Sequence, residues 1–312
     1  MSIENVTVAG GGVLGSQIAF QSAFCGFNVK IWLRSESSKE RAQPKLDRLK
    51  DIYLNTLETM KTNPSAYCRG FTDKKELSDD EIDQLKSQVC RAYENIEMTT
   101  SYHVASDDAD LIIEAIAEDP QQKIEFYQEL AKHLPEKTIL VTNSSTLLPS
   151  AFAKYTGRPE KYLALHFANE IWRNNTAEVM GHPQTDQKCY DEVVQFACDI
   201  NMVPLKLKKE QPGYILNSML VPFLSAAEAL YATDVADFET IDLTWKLATG
   251  APAGPFAILD VVGLTTAYNI VMMNPEVNNP ESIPAKIAAK LKEKIDAGKT
   301  GVNAGEGFYK YD

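Results

Sequence analysis

Gly10-Gly11-Gly12-Val13-Leu14-Gly15 joins a strand-like run, Ile3 to Ala9, to a segment of small and apolar residues, Gly15 to Cys25, that ends near Gly26. A second strand pattern, Val29 to Leu33, follows directly. A glycine loop between a strand and a helix restricts the chain severely, because a side chain at the turn would block it. Gly10 permits the tight turn, Gly12 lets the backbone approach a pyrophosphate, and Gly15 allows close packing of the helix on the strand. Val13 and Leu14 complete the loop, where free N–H groups at the helix start hold phosphate oxygens. The predicted ligand is a dinucleotide.

The second strand qualifies this. In such a unit it ordinarily ends in a carboxylate that binds the adenosine ribose hydroxyls of NAD. Here that position is Leu33, which cannot accept a hydrogen bond, followed by Arg34 and Ser35. An arginine and a serine can instead hold a 2′-phosphate, so NAD and NADP both remain open as cofactors. The alternative is that Arg34 points to solvent.

Further strand patterns recur at Ile96–Thr99, Leu111–Ala115, Thr138–Thr142 and Tyr162–His166, with a helix at Gln121–Leu134. Ala177–Met180 and Met202–Leu207 read as strands at one edge. This alternation predicts an α/β doubly wound, mostly parallel sheet. The polar, helical stretch at about 38–95 is longer than a crossover requires and reads as a helical insertion. After Gln211-Pro212-Gly213 the character changes to helices, expected at Tyr214–Tyr231 and at about 237–248, 255–273 and 284–297. The first of these is nearly all apolar and predicts burial on several sides. The expected division is 1–208 for the dinucleotide-binding domain and 209–312 for an all-helical substrate and dimerisation domain.

A net charge of −12 argues against nucleic acid as the main partner. Five scattered cysteines, with no CxxC, argue against a disulfide framework or a metal site. No leader or membrane-crossing stretch is apparent, so a soluble, cytoplasmic protein is expected.

Of four histidines, His166 stands at the C-terminal end of a predicted strand, where open α/β sheets bind their ligands. Glu178 follows twelve residues later. A His–carboxylate pair moves a proton through the imidazole while the carboxylate fixes its tautomer, although spacing alone equally fits a core histidine with an unrelated neighbour. His103, His133 and His182 lie in polar stretches and read as surface residues. Ser145, in TNSST, suits a helix cap or a site. Asn217 interrupts the apolar GYILNSMLVPFL and predicts a specific polar contact.

GGGVLG, EAIAEDPQQK, TNSST, LHFAN with Glu178, PGYILNSMLVPFL, GAPAGPFAILDVVGL and GEGFYKYD, in this order, resemble the short-chain L-3-hydroxyacyl-CoA dehydrogenases over nearly the whole chain. The resemblance implies a Rossmann-like domain, a helical homodimerising domain, and hydride transfer between a hydroxyacyl-CoA and a nicotinamide. It implies that His166 is the general base, Glu178 its orienting partner, and Ser145 and Asn217 groups that position the reacting oxygen. It also implies that Glu118 and Lys123 meet the nicotinamide-side ribose, and that Asn143 and Asn169 line the nicotinamide and substrate pocket. Three departures stand out: Leu33 at the acidic position, Asn169-Glu170-Ile171-Trp172-Arg173 in place of Asn-Pro-Val-Pro, and no lysine within Asp51–Thr59 to meet CoA phosphates. Lys45, Arg48 and Lys50 lie one turn or more earlier and either substitute or form a solvated face. A free 3-hydroxy acid, as in L-gulonate and carnitine dehydrogenases, is the near alternative, and a non-catalytic dinucleotide-binding regulator the distant one.

Overall fold

The computed structural model describes residues 3–311. The chain divides into two units, Met1–Ile215 and Leu216–Asp312.

The first unit is built on eight strands: β1 Asn5–Ala9, β2 Asn28–Trp32, β3 Glu97–Thr99, β4 Leu111–Glu114, β5 Ile139–Thr142, β6 Tyr162–Phe167, β7 Thr176–Met180 and β8 Val203–Lys206. Their order, β3-β2-β1-β4-β5-β6-β7-β8, reverses direction between β1 and β4. That switch point is where a doubly wound sheet opens a ligand crevice. All pairings are parallel except β6 with β7. The central strands β4, β5 and β6 are buried throughout, as continuous apolar runs covered on both faces must be.

Helix α1, Val13–Phe24, leaves the glycine turn. α2, Glu36–Met60, carries Pro44 yet continues for 25 residues, and α3, Asp79–Asn95, opens on a capping box in which Ser78 and Glu81 satisfy each other's backbone N–H groups. Together they form the insertion, packed through Leu46, Leu49, Tyr53, Leu57, Ile82 and Val89. α4 (Tyr102–Ser106), α5 (Pro120–Leu130), α6 (Pro149–Phe152) and α7 (Gln187–Asp199) complete the unit. The five cysteines are free thiols.

The second unit comprises α8 Leu216–Ala232, α9 Phe238–Thr249, α10 Pro255–Val262, α11 Leu264–Met272 and α12 Ile283–Asp296 around Leu224, Phe256, Leu259, Leu264, Leu291 and Phe308. Two carboxylates staple it. Asp242 accepts from the N–H groups of Phe256 and Ala257 at the start of α10, and Asp260 accepts from those of Phe308 and Tyr309 in the tail.

Three expectations are corrected. The helix foreseen over 255–273 is two helices bent by 94°, because Gly263 takes φ +91 between them. α8 is buried along one side only: Leu224, Ala227 and Glu228 face inward while Leu216, Met219 and Leu230 are exposed. His182 is buried, its Nε2 3.0 Å from the Pro159 carbonyl, where a polar local sequence suggested the surface.

Candidate active site

The glycine turn has the stereochemistry its sequence requires. Gly10 takes φ +126, and a Cβ there would lie 2.3 Å from the Ala115 carbonyl oxygen. A Cβ on Gly15 would lie 2.2 Å from the Gly10 carbonyl oxygen, so α1 approaches the turn backbone to backbone. Gly12 has only open space before it, and no side chain caps the first turn of α1. The first amides of α1 thus face an open cradle, which fits a pyrophosphate.

Two cavities meet at Gly12, Ala115 and Ile116. The larger, about 700 Å³, runs past Leu33, Arg34, Ser38, Arg41 and Lys45 on one wall and Gln122, Glu125 and Phe126 on the other. The smaller, about 290 Å³, runs past Val13, Leu14, Glu118, Lys123, Asn143 and Ser145. The groove therefore crosses the switch point over the C-terminal ends of β1 and β4. Leu33 turns into the core and packs against Gly11 and Ala42.

At the end of β6, His166 Nδ1 lies 3.0 Å from Glu178 Oε2, and its Nε2 lies 3.1 Å from Ser145 Oγ. Both His166 and Glu178 are buried. They are direct partners in the antiparallel β6–β7 ladder, so the sheet register itself sets the pair. The other oxygen of Glu178, Oε1, accepts from the Ile215 N–H at 2.8 Å. A carboxylate bonded at Nδ1 orients the ring and favours the tautomer that carries its proton on Nδ1, with Nε2 turned toward Ser145.

Tyr214 was not singled out in the sequence. Its ring stacks on the imidazole with centroids 4.4 Å apart and an interplanar angle of 12°, and its hydroxyl donates to the Ser144 carbonyl at 2.7 Å. Tyr214 adopts φ +54, an uncommon conformation for a side-chain-bearing residue. Burial, with Glu118, Glu178 and Glu114 nearby, pushes its hydroxyl pKa far up, so it remains a neutral donor.

Glu114 was likewise missed. It is fully buried and gathers Lys123 Nζ at 2.6 Å, Tyr127 Oη at 2.7 Å, Thr142 Oγ1 at 2.8 Å and the Ile116 N–H at 2.9 Å. Lys123, expected at a ribose, is itself buried against this carboxylate, with Glu118 at 3.4 Å. Glu118 accepts from Ser144 Oγ and from the N–H and hydroxyl of Thr146, bracing the TNSST turn. Burial raises its pKa, but the Ser144 bond, the Lys123 charge and the Thr146 bonds outweigh this and hold it below the ordinary value.

Asn143 lines the smaller cavity, and its side-chain oxygen accepts from the Phe167 N–H. Asn169 is exposed. Ile171 and Trp172 of the same loop turn into the core, with Trp172 against Tyr53 and Gly70. Asn217 lies half-buried in the first turn of α8 in the second unit. Lys50 sits over the ring of Tyr93, while Lys45 lines the larger cavity.

A dinucleotide cradle leading to a buried His–Glu pair on one doubly wound sheet defines the class: a nicotinamide-dependent oxidoreductase. Sequence comparison defines the family. The family description "3-hydroxyacyl-CoA dehydrogenase, NAD binding domain" matches residues 5–211, and "3-hydroxyacyl-CoA dehydrogenase, C-terminal domain" matches residues 213–311. The chain belongs to the 3-hydroxyacyl-CoA dehydrogenase family. It is 31% identical to the human mitochondrial hydroxyacyl-coenzyme A dehydrogenase over 312 residues, 99% of this chain and 91% of that protein. Among solved structures it resembles a diketoreductase studied for dual catalysis of dicarbonyl compounds, at 46% identity and TM-score 0.85, with both chains fully covered. It also resembles FadB2 of M. tuberculosis at 26% identity and TM-score 0.78, again over the whole of both chains.

Proposed function

We propose that this chain interconverts an L-3-hydroxyacyl-CoA of short acyl chain and the corresponding 3-ketoacyl-CoA, with His166 as general base. The observation that carries the reading is the Glu178–His166–Ser145 chain of contacts at the end of β6, its His–Glu pair buried and Ser145 lining the dinucleotide groove. Glu178 accepts a hydrogen bond from the Nδ1–H, which directs the Nε2 lone pair toward the substrate hydroxyl. His166 takes the hydroxyl proton at Nε2, and the imidazolium so formed is stabilised by the Glu178 carboxylate. Ser145 donates to the reacting oxygen as negative charge develops there. In the reverse direction the Nε2–H protonates that oxygen. A nicotinamide bound in the groove supplies the hydride acceptor or donor.

The cofactor is NAD or NADP, since no carboxylate stands where the adenosine ribose hydroxyls are usually held. A second substrate reading, a β-dicarbonyl compound or 3-hydroxy acid without CoA, is favoured by the 46% identity to the diketoreductase and by the absence of lysine from Asp51–Thr59. The helical unit is proposed to form a homodimer; exposed Met219, Leu247 and Val261 support this, and sedimentation tests it.

The decisive experiment is reduction of acetoacetyl-CoA and of a free dicarbonyl by the purified chain, with His166→Ala alongside. Turnover should fall about 10²–10⁴-fold in the variant while dinucleotide binding persists. Undiminished turnover refutes the role of His166. Turnover of the free dicarbonyl alone selects the second substrate.

A further inference from the structure

The adenosine end of the groove holds cations that neither the fold nor the dyad requires. Leu33 leaves the wall at the end of β2 without a carboxylate, and its side chain packs under Gly11. Arg34 extends across the cavity and donates to Gln122 Oε1 on α5 at 3.1 Å. Ser35, at the start of α2, makes no capping bond; its hydroxyl lies 3.0 Å from that of Ser37 and 2.9 Å from that of Ser38. One turn on, Arg41 donates to Ser38 Oγ at 2.8 Å and to Ser37 Oγ at 3.3 Å, and Lys45 donates to the Arg41 carbonyl at 2.6 Å.

In a chain of net charge −12, none of Arg34, Arg41 and Lys45 forms an ion pair among the described residues. Nearby carboxylates are otherwise engaged: Glu36 with Lys39 and Thr100, Glu125 with Gln121, and Glu129 with Lys132. Arg34, Arg41, Lys45 and Ser38 line one wall of the cavity, with the Ser35 and Ser37 hydroxyls bonded to or beside Ser38. The carboxylates on the other wall, Glu125 and Glu129, bond to Gln121 and Lys132 and leave these cations free to meet an anion. Doubly charged phosphate monoesters suit such a set, since each oxygen accepts several bonds and guanidinium groups bind it in a fork.

We propose that Arg34, Ser35, Ser38 and Arg41 form a site for the 2′-phosphate of adenosine, so that this chain selects NADP(H) over NAD(H). The proposal rests on the dinucleotide reading of the groove. Arg41 is the specificity-determining residue that sequence reasoning did not reach, because it lies on α2 and joins the site only through the helix turn that places it over Ser37 and Ser38. Lys45 adds charge at the rim.

The test is binding, measured calorimetrically with NADPH, NADH, 2′,5′-ADP and 5′-AMP on the wild-type protein, Arg41→Ala and Arg34→Ala/Arg41→Ala. NADPH should bind about ten- to a hundredfold more tightly than NADH, and 2′,5′-ADP more tightly than 5′-AMP by a similar factor. Each variant should lose most of that preference while NADH affinity stays within about twofold, and added salt should weaken NADPH more than NADH. Equal binding of NADH and NADPH, or equal losses for both in Arg41→Ala, overturns the 2′-phosphate site and leaves the groove reading intact. If neither dinucleotide binds, the groove reading fails and takes this proposal with it.

Discussion

Glu228 on α8 is 5% exposed, lies beside Leu224 and Ala227, and carries an Oε1 with no hydrogen-bond partner among the described residues. Burial alone raises its pKa from 4.5 to about 7. The sign follows from linkage: a carboxyl raised in the folded state supports folding fully below its unfolded value of 4.5, and that support is lost as the pH rises through about 7. The rise of about 2.5, at about 1.4 kcal/mol each, makes the loss about 3 kcal/mol near pH 8 and under about 1 kcal/mol near pH 5. Glu228→Gln removes the ionisation with little change of shape. Urea unfolding followed by circular dichroism, on both proteins at both pH values, reads the effect. The variant's stability relative to wild type should rise by about 2 kcal/mol from pH 5 to pH 8. A difference that stays constant with pH would show that the carboxylate is paired or solvated in solution, and would refute the reasoning.

Gly12→Ala should change folding stability by no more than about 1 kcal/mol, since Gly12 has φ −69 and open space before it, yet weaken dinucleotide binding at least about tenfold in calorimetry. Gly15→Ala should instead cost about 1–3 kcal/mol of stability in thermal or urea unfolding, because its Cβ would meet the Gly10 carbonyl oxygen. Glu178→Gln keeps the shape of the pair but no longer fixes the imidazole tautomer, so kcat should drop about 10²–10⁴-fold with dinucleotide affinity unchanged; a small loss would remove Glu178 from the mechanism. Tyr214→Phe retains the ring on His166 and should cost about 1 kcal/mol of stability through the lost bond to Ser144, whereas Tyr214→Ala should also lower kcat. Equal kcat in the two Tyr214 variants would show that stacking does not position the imidazole.

The glycine turn was legible because a positive φ at Gly10 and backbone contact at Gly15 admit almost no other residue. Strand order was foreseeable only as a class, since apolar runs such as Leu111–Glu114 do not name their neighbours. The break at Gly263 escaped notice because apolar residues continue on both sides of it, so a window of composition shows one helix where the backbone turns sharply. α8 misled for a related reason: its apolar composition implies burial all round, yet Leu216, Met219 and Leu230 on one side of it are exposed. Glu114 hid inside an apolar strand, and its partners Lys123, Tyr127 and Thr142 come from two other elements. Tyr214 hid because stacking on His166 joins residues 48 positions apart, and no periodicity encodes that.

The His166–Glu178 pair shows where local reading ends and topology takes over. Twelve residues of separation favour no particular contact. β7, however, returns antiparallel to β6 and places Glu178 directly across from His166, with Leu165 opposite Val179 as the next rung. Directly paired side chains on adjacent strands share one face of the sheet, so the acid–base pair follows from register once the loop 168–175 closes. A slip of one residue would set Ala177 or Val179 against the imidazole and turn Glu178 to the opposite face. The single antiparallel strand pairing thus accounts for the dyad in a sheet whose other pairings are all parallel. The buried anchoring of Ile171 and Trp172 holds the loop between the two strands, and so holds the register. Trp172 does so through its ring against Tyr53 and its backbone carbonyl, which accepts from the Gly70 N–H, so the loop that sets the β6–β7 register is tied to the helical insertion.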